Sequence, residues 1–253
     1  LQVGRYNDSI SSFDAALTMV PDNPDIWLSR ATAYEAVDEY EKAIQDYDNV
    51  LKLDSFNMEA LSGKARLATI LGDHVSSIEA YNLIISQDPY NINAWYMQAL
   101  SYDSMQQYNE AISCYDQVLA LDPQNATAWD NKGRVLSSLG RYSEAIECYD
   151  RALQLNPDGL SGVYVADMSS YLFIDEVTSM ECYTETPQFK TESADIWYNK
   201  ATAFYKLGKY EDAILSYDKV IELEPNIAVV WYNRAIAFDM LQKYDEAVDS
   251  YSK

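Results

Sequence analysis

Large apolar and small side chains alternate in residues 126–159, and the pattern returns along the chain every 34 positions. Steps of 34 from Trp129 reach every other tryptophan of the protein, and the same steps from Tyr149 meet a nearly unbroken row of tyrosines. A fixed period of this length is typical of a stacked repeat. The residues that carry the pattern in this unit are Trp129, Gly133, Tyr142, Ala145, Tyr149, Ala152 and Pro157.

Start and stop signals divide each unit into two helices. Asn125 is suited to cap a helix that begins near Ala126, and Gly140 can adopt the left-handed conformation that ends it. A second helix is expected from about residue 143 to residue 155, because Pro157 cannot continue it. Each unit is therefore predicted to be an antiparallel helix pair.

Small residues at two repeated positions allow the helices of a pair to approach closely. Gly133 is matched by alanines such as Ala31 and Ala201, and Ala145 by Ala43 and Ala213. One pair buries too little surface to fold alone, so at least about three pairs must stack.

The Trp, Gly or Ala, Tyr, Ala, Tyr and Pro pattern resembles the tetratricopeptide repeat family, in tandem arrays of the prokaryotic type. The resemblance covers nearly the whole chain. It implies an all-α fold, a right-handed superhelical solenoid of antiparallel helix pairs. It also implies that first helices line a concave groove and that second helices form the convex back.

The period predicts that residues 1–253 form a single solenoid. We expect the chain to be a piece of a longer protein, because both ends cut a unit. The predicted units are residues 1–23 (partial), 24–57, 58–91, 92–125, 126–159, 160–193 (degenerate or inserted), 194–227 and 228–253 (partial).

Residues 160–193 keep the length of a unit but depart from its pattern, with Val163 in the tryptophan row and Asp167 in the small-residue row. One interpretation is an inserted loop or hairpin, and the other is a decayed repeat. The decayed repeat is favoured, because the pattern resumes in phase at Trp197 and residues 181–183 repeat the sequence of residues 147–149.

The chain is strongly acidic, with 40 Asp and Glu against 18 Lys and Arg, for a net charge of −22. Nucleic acids and anionic membrane surfaces attract positive footprints, so binding to either is not expected. No membrane insertion is expected, since no apolar run is long enough. Cys114, Cys148 and Cys182 share one row, too far apart for disulfides, which fits a reducing cytoplasmic location.

Candidate chemistry for an enzyme is sparse. His74 is the only histidine and lies in a tyrosine row, so a packing role is favoured. The sequence has no phosphate-binding glycine loop and no cysteine spacing for a metal. We expect no catalytic residue, no metal and no cofactor in this chain.

The resemblance places ligands along the first helices, and following those rows gives a candidate peptide-binding groove. Tyrosines supply contact area there, and asparagines that repeat in the C-terminal half can hold a peptide backbone. Packing against neighbouring helices is the competing role for these residues. The candidate groove residues are Arg66, Tyr96, Asp130, Asn131, Arg134, Tyr198, Asn199, Thr202, Tyr205, Tyr232 and Asn233. A clamp for a C-terminal carboxylate is not expected, because the row of Asp130 contains no lysine.

Acidic residues outnumber basic ones in the predicted groove rows, which suggests a partner segment with Lys or Arg together with apolar anchors. The leading hypothesis is a non-catalytic scaffold that binds a peptide segment or partner protein in the groove. The alternatives are a homo-oligomer assembled through the solenoid ends or residues 160–193, and a regulatory domain of a larger enzyme.

Overall fold

The structure is a computed structural model that describes residues 2–157 and 189–253. Every regular element in those ranges is an α-helix, as the sequence pattern predicts. The helices are α1 (Gln2–Met19), α2 (Pro24–Glu35), α3 (Tyr40–Leu53), α4 (Met58–Ile70), α5 (His74–Gln87), α6 (Ile92–Ser104), α7 (Tyr108–Leu121), α8 (Ala126–Ser138), α9 (Tyr142–Leu155), α10 (Glu192–Lys206), α11 (Tyr210–Leu223), α12 (Ala228–Met240) and α13 (Tyr244–Tyr251).

Side-chain caps fix where most first helices begin. The Asn125 side chain accepts a hydrogen bond from the backbone N–H of Ala128, which satisfies one of the unpaired donors at the start of α8. This confirms the predicted cap. The same bond to the N–H three residues later recurs at Asn57 and Asn91, whereas the Asn23 side chain accepts from the N–H of Asp25, two residues later.

The turn inside each pair needs a residue with positive φ. Gly140 has φ 73°, as predicted, and Gly72 and Gly208 take the same conformation two periods before and after it along the row. At the same position in other pairs, Asp38, Gln106 and Gln242 adopt it without the freedom of glycine.

The chain divides into two compact units, residues 1–117 and 118–253, and the division lies within α7. In the first unit α2 pairs with α3 and α4 with α5, while α3 packs on α4 and α5 on α6. Ala31 and Ala43 are fully buried where α2 and α3 meet, with Tyr47 beside them. The small residues therefore permit the close approach that their spacing predicted.

In the second unit α8 pairs with α9, α10 with α11, and α12 with α13. The core around α10 and α11 contains Ala201, Ala213 and Tyr217, which are buried, and Trp197 packs against it. Tryptophans of both units have like surroundings, since four of them donate a hydrogen bond to the carbonyl of the proline six residues earlier: Trp27, Trp95, Trp129 and Trp231.

A basic side chain three residues after the tryptophan row ties several first helices to the preceding second helix, and in α6 the amide of Gln98 takes this place with a bond to Asn82. Lys64 bonds to Asp48, and Arg234 to Asp218, each 16 residues earlier, at 2.6 and 2.7 Å. This row is not among the features predicted from the sequence. Its signal was a base and an acid that recur together at the same separation.

The helices α9 and α10 pack together although 36 residues separate them in sequence. Lys200 Nζ lies 2.5 Å from Asp150 Oδ1. In the other pairs the acid comes 16 residues before the base, whereas Asp150 comes 16 and a further 34 residues before Lys200, which is one period more. Ser193 Oγ also donates to the carbonyl oxygen of Pro157 at 3.3 Å. α10 therefore lies against α9 where the first helix of the next unit in sequence would be expected.

The prediction of a decayed repeat at residues 160–193 falls mostly on residues 158–188, which lie outside the described ranges. It stays a prediction. The same holds for Cys182, whereas Cys114 and Cys148 are buried free thiols.

Candidate functional site

In the first unit, the candidate Arg66 is engaged with a neighbouring pair. It forms an ion pair with Glu35 of α2, and Glu35 also accepts a hydrogen bond from the Tyr47 hydroxyl at 2.6 Å. Tyr96 is half-buried and meets the Tyr115 ring edge-on, with centroids 6.0 Å apart. Both candidates thus contribute to contacts between helices.

In the second unit, the helices α8, α10 and α12 form what we call the first-helix face. α8 contacts α10, and a hydrogen bond joins α10 to α12. Nine of the candidate residues lie on these helices: Asp130, Asn131, Arg134, Tyr198, Asn199, Thr202, Tyr205, Tyr232 and Asn233.

Asp130 is the most unusual residue of this face. Its side chain lies on α8 with only 5% of the residue exposed, and its Oδ1 atom has no hydrogen-bond partner among the described residues. Arg134, one turn further along α8, is exposed and donates to Asn131 Oδ1 at 3.1 Å. A buried carboxyl oxygen without a donor is costly, because the loss of hydration is not compensated.

Two further carboxylates come close to Asp130 from the first turn of α10. Glu192 accepts hydrogen bonds from Asn156 Nδ2 at 2.9 Å and from Thr127 Oγ1 at 3.3 Å. Asp195 Oδ1 accepts from Asn199 Nδ2 at 3.3 Å. The position of α10 against α9 therefore brings acidic groups of two distant segments together.

The electrostatics of these groups follow from burial and charge. Loss of hydration raises the pKa of Asp130 far above the usual carboxyl value; the negative charges of Asp195 and Glu192 raise it further, and Arg134 opposes them. Burial also raises the pKa of Glu192, against the hydrogen bonds from Thr127 and Asn156. We call Asp130, Glu192 and Asp195 the acidic pocket.

The tyrosines of α10 are largely committed to packing. Tyr198 is 2% exposed, its ring centroid lies 5.4 Å from that of Phe189, and its hydroxyl accepts from Asn233 Nδ2 at 3.0 Å. Asn233 is fully buried. In this structure Asn233 thus bonds within the chain, and Asn131 and Asn199 do so as well.

The remaining candidates are partly accessible. Tyr232 is 44% exposed, with its ring 5.7 Å from that of Tyr251. Tyr205 lies against Tyr210, and Thr202 donates to the Tyr198 carbonyl. The role of the whole set in binding a peptide stays a prediction.

Sequence reasoning missed Glu192 as part of this site, because it fell in the unit with the irregular pattern. A local signal was present: Thr191 caps α10 with its side chain, and acidic residues follow in the first turn.

His74 has a buried Nδ1 atom with no partner among the described residues, and burial lowers its pKa.

Models of the tetratricopeptide repeat match most of the sequence. One matches residues 1–48, 29–92 and 96–159, and two others match residues 194–227 and 216–249. The chain belongs to the tetratricopeptide repeat family. This confirms the resemblance seen in the sequence.

Solved tetratricopeptide repeat proteins share the fold. YrrB, a TPR protein with an unusual peptide-binding site, aligns with a TM-score of 0.63 at 18% identity over 86% of this chain and 95% of its own. MamA aligns with a TM-score of 0.59 at 21% identity over 74% of this chain and 90% of its own. A tetratricopeptide repeat protein of Parabacteroides merdae ATCC 43184 gives 0.59 at 17% identity over 98% of this chain and 85% of its own. A comparison with curated proteins finds no match.

The family assigns this tetratricopeptide repeat chain to the class of protein–protein interaction scaffolds. In residues 2–157 and 189–253, no group of His, Cys, Asp and Glu is arranged to hold a metal ion. No helix in the same ranges has the length and apolar character to cross a membrane.

Proposed function

We propose that this chain is a non-catalytic scaffold that binds an extended peptide segment of a partner protein on the first-helix face of its second unit. The observation that carries the proposal is the mixture of side chains on that face. An accessible tyrosine, Tyr232, lies on the same face as the exposed Arg134 and the hydrogen-bonding pair Asp195 and Asn199. Tyrosine supplies contact area at a low entropic cost, and polar side chains can fix a peptide backbone. The fold shared with YrrB supports the same function.

The partner segment is expected to carry Lys or Arg together with apolar residues. The net charge of −22 attracts cationic partners and repels nucleic acids and anionic lipid surfaces. We place this interaction in the cytoplasm, which the buried free thiols Cys114 and Cys148 support.

A peptide array tests this function. Short peptides of varied charge and apolar content are screened against the protein, and the best binders are measured by isothermal titration calorimetry. Tyr232→Ala should weaken binding by about tenfold, since an accessible tyrosine at an interface contributes on the order of 1–2 kcal/mol.

Tyr244→Ala is the matched control. Tyr244 is 62% exposed but lies on the second helix α13, so its truncation should change affinity by less than about twofold. An array without binders, or equal losses for the two variants, would refute the proposed binding face.

Self-assembly is the second candidate. Tyr244 and Val248 of α13 are both largely exposed and one turn apart, so they form an apolar stripe that a second copy could cover. Sedimentation velocity over a concentration series separates the two functions. A concentration-dependent dimer that Val248→Asp abolishes supports self-assembly, whereas a monomer throughout excludes it.

A further inference from the structure

We propose that the acidic pocket of Asp130, Glu192 and Asp195 receives one lysine or arginine side chain of the partner segment. The inference rests on the proposed function and assigns a specific contact to it. The other sources of positive charge, such as free metal ions, are tested as competing outcomes below.

The first step is the state of Asp130 itself. It lies in the interior of α8, beyond the first turn, so the helix N-terminus gives it little stabilisation. It is almost fully buried, and its Oδ1 atom has no donor among the described residues. Buried polar atoms in proteins are normally hydrogen-bonded, so a buried carboxyl oxygen without a donor indicates a missing donor, such as a cationic side chain, or a bound proton.

The second step concerns Glu192 and Asp195. Acidic residues in the first turn of a helix are common without any ligand, because they interact favourably with its N-terminus. These two carboxylates therefore have a structural explanation of their own. Asp130 does not share it, since it comes from another helix and adds a third carboxyl group to a desolvated place.

The third step is that, among the described first helices of the second unit, this arrangement occurs once. At the position of Asp130, the other first helices of that unit carry Tyr198 and Tyr232. At the position of Asp195, they carry Thr127 and Val229. The unusual register in which Lys200 meets Asp150 places α10 beside α8, and the acidic pocket results from that register.

The fourth step selects the ligand. The described carboxylates are not arranged to coordinate a metal ion, and Glu192 and Asp195 already accept amide and hydroxyl donors. A Lys or Arg side chain, which brings several N–H donors together with its charge, fits the Asp130 Oδ1 atom better than a bare ion. Arg134 is exposed and bonds to Asn131, so its charge offsets only part of the negative charge.

The first arm of the test uses a small probe. Ethylguanidinium chloride is titrated into the protein while side-chain amide signals of Asn131 and Asn199 are followed by NMR. Saturable shifts are expected in the wild type and their loss in Asp130→Asn. Sodium chloride and tetramethylammonium chloride at equal ionic strength should give no saturable shift. If either does, the pocket responds to charge in general and the proposal fails.

Asp249→Asn is the matched control, because it removes the same charge from an exposed position on α13. It should leave the titration unchanged. Should Asp130→Asn fail to fold, Asp195→Asn takes its place, with an expected weakening of at least about threefold, since one of the three carboxyl groups of the acidic pocket is lost.

The second arm uses the tightest peptide from the array. Each lysine of the peptide is replaced in turn by norleucine and each arginine by citrulline. The affinity of every changed peptide is then measured for the wild-type protein and for Asp130→Asn. One basic position should lose about tenfold in affinity with the wild type and less than about twofold with the variant. The proposal would be overturned if, at every basic position, the peptide lost the same affinity for the wild type as for Asp130→Asn.

The two arms separate this proposal from the proposed function. If peptides bind but no basic position couples to Asp130, the pocket assignment is wrong and the scaffold function stands. If no peptide binds while ethylguanidinium saturates the wild type alone, the pocket stands and the peptide-binding function is wrong.

Discussion

Asp130 also sets a pH dependence of stability at the scale of a single residue. Burial raises its pKa, the charges of Asp195 and Glu192 raise it further, and Arg134 lowers it. Tyr149 of α9 packs against the same region, and burial raises its pKa as well, so it carries no charge at neutral pH. A carboxyl whose pKa is raised by folding binds its proton more tightly in the folded state. It therefore lowers stability as pH rises from the ordinary carboxyl value through the raised one.

Asp130→Asn should remove the loss of stability that Asp130 causes as pH rises. At about pH 7 the variant should be more stable than the wild type by on the order of 1–3 kcal/mol, because an amide is cheaper to bury than an unpaired carboxylate. Near about pH 4, close to the ordinary carboxyl pKa, the two proteins should converge. Urea unfolding followed by circular dichroism at both pH values measures the difference. A variant that is less stable at neutral pH would show that the carboxylate has a stabilising partner.

Gly133 gives a second prediction for a single residue. A Cβ atom at this position would lie 2.7 Å from Cε1 of Tyr149, although other first helices carry alanine there. Alanine gains up to about 1 kcal/mol over glycine inside a helix, but overpacking costs about 1–3 kcal/mol. Gly133→Ala should therefore lower the urea midpoint. Ser138→Ala, at an exposed position on the same helix, should leave it unchanged or raise it. A raised midpoint for Gly133→Ala would show that the Tyr149 ring moves aside easily.

At the scale of helices, local signals predicted most of what the structure contains. Asn125 caps α8 and Gly140 ends the first helix of that pair, because both effects depend on backbone groups a few residues away. The burial of Asp130 could not be predicted in this way. It depends on the register of α10 against α9, which appears only in the contacts of the folded chain, such as Lys200 with Asp150 and Ser193 with Pro157.

The same register predicts the effect of a deletion. Pro157 lies close to Ser193, so residues 158–188 can be replaced by about four glycine and serine residues without separating α9 from α10. The free energy of unfolding should change by less than about 1 kcal/mol, because the contact between these helices is retained. Urea unfolding followed by circular dichroism measures it.

Deletion of residues 194–227 is the control for that experiment. It removes α10 and α11 together with their interfaces to neighbouring pairs. The free energy of unfolding should therefore fall several times more than in the first deletion. Equal losses from the two deletions would favour the interpretation of residues 160–193 as a decayed repeat that belongs to the stack.

At the scale of the whole molecule, the charge of −22 decides how a cationic partner approaches. Exposed charges act over about 10 Å at 0.1 M salt and over less at higher salt, so they mainly accelerate association. A contact with the buried carboxyl of Asp130 is screened less than one between exposed charges. The exposed charges and the buried contact can therefore be distinguished by kinetics. Salt should change the association rate through the exposed charges and should have less effect on the dissociation rate, which the buried contact controls.

Raising sodium chloride from about 0.05 M to about 0.5 M should weaken the tightest peptide by about threefold to tenfold, mostly through slower association. Stopped-flow fluorescence gives both rates. The peptide with citrulline or norleucine at its coupled position should dissociate faster at every salt concentration, because the buried contact is gone, yet keep part of the salt effect on association. An affinity independent of salt would mean that the exposed acidic surface has no part in recognition.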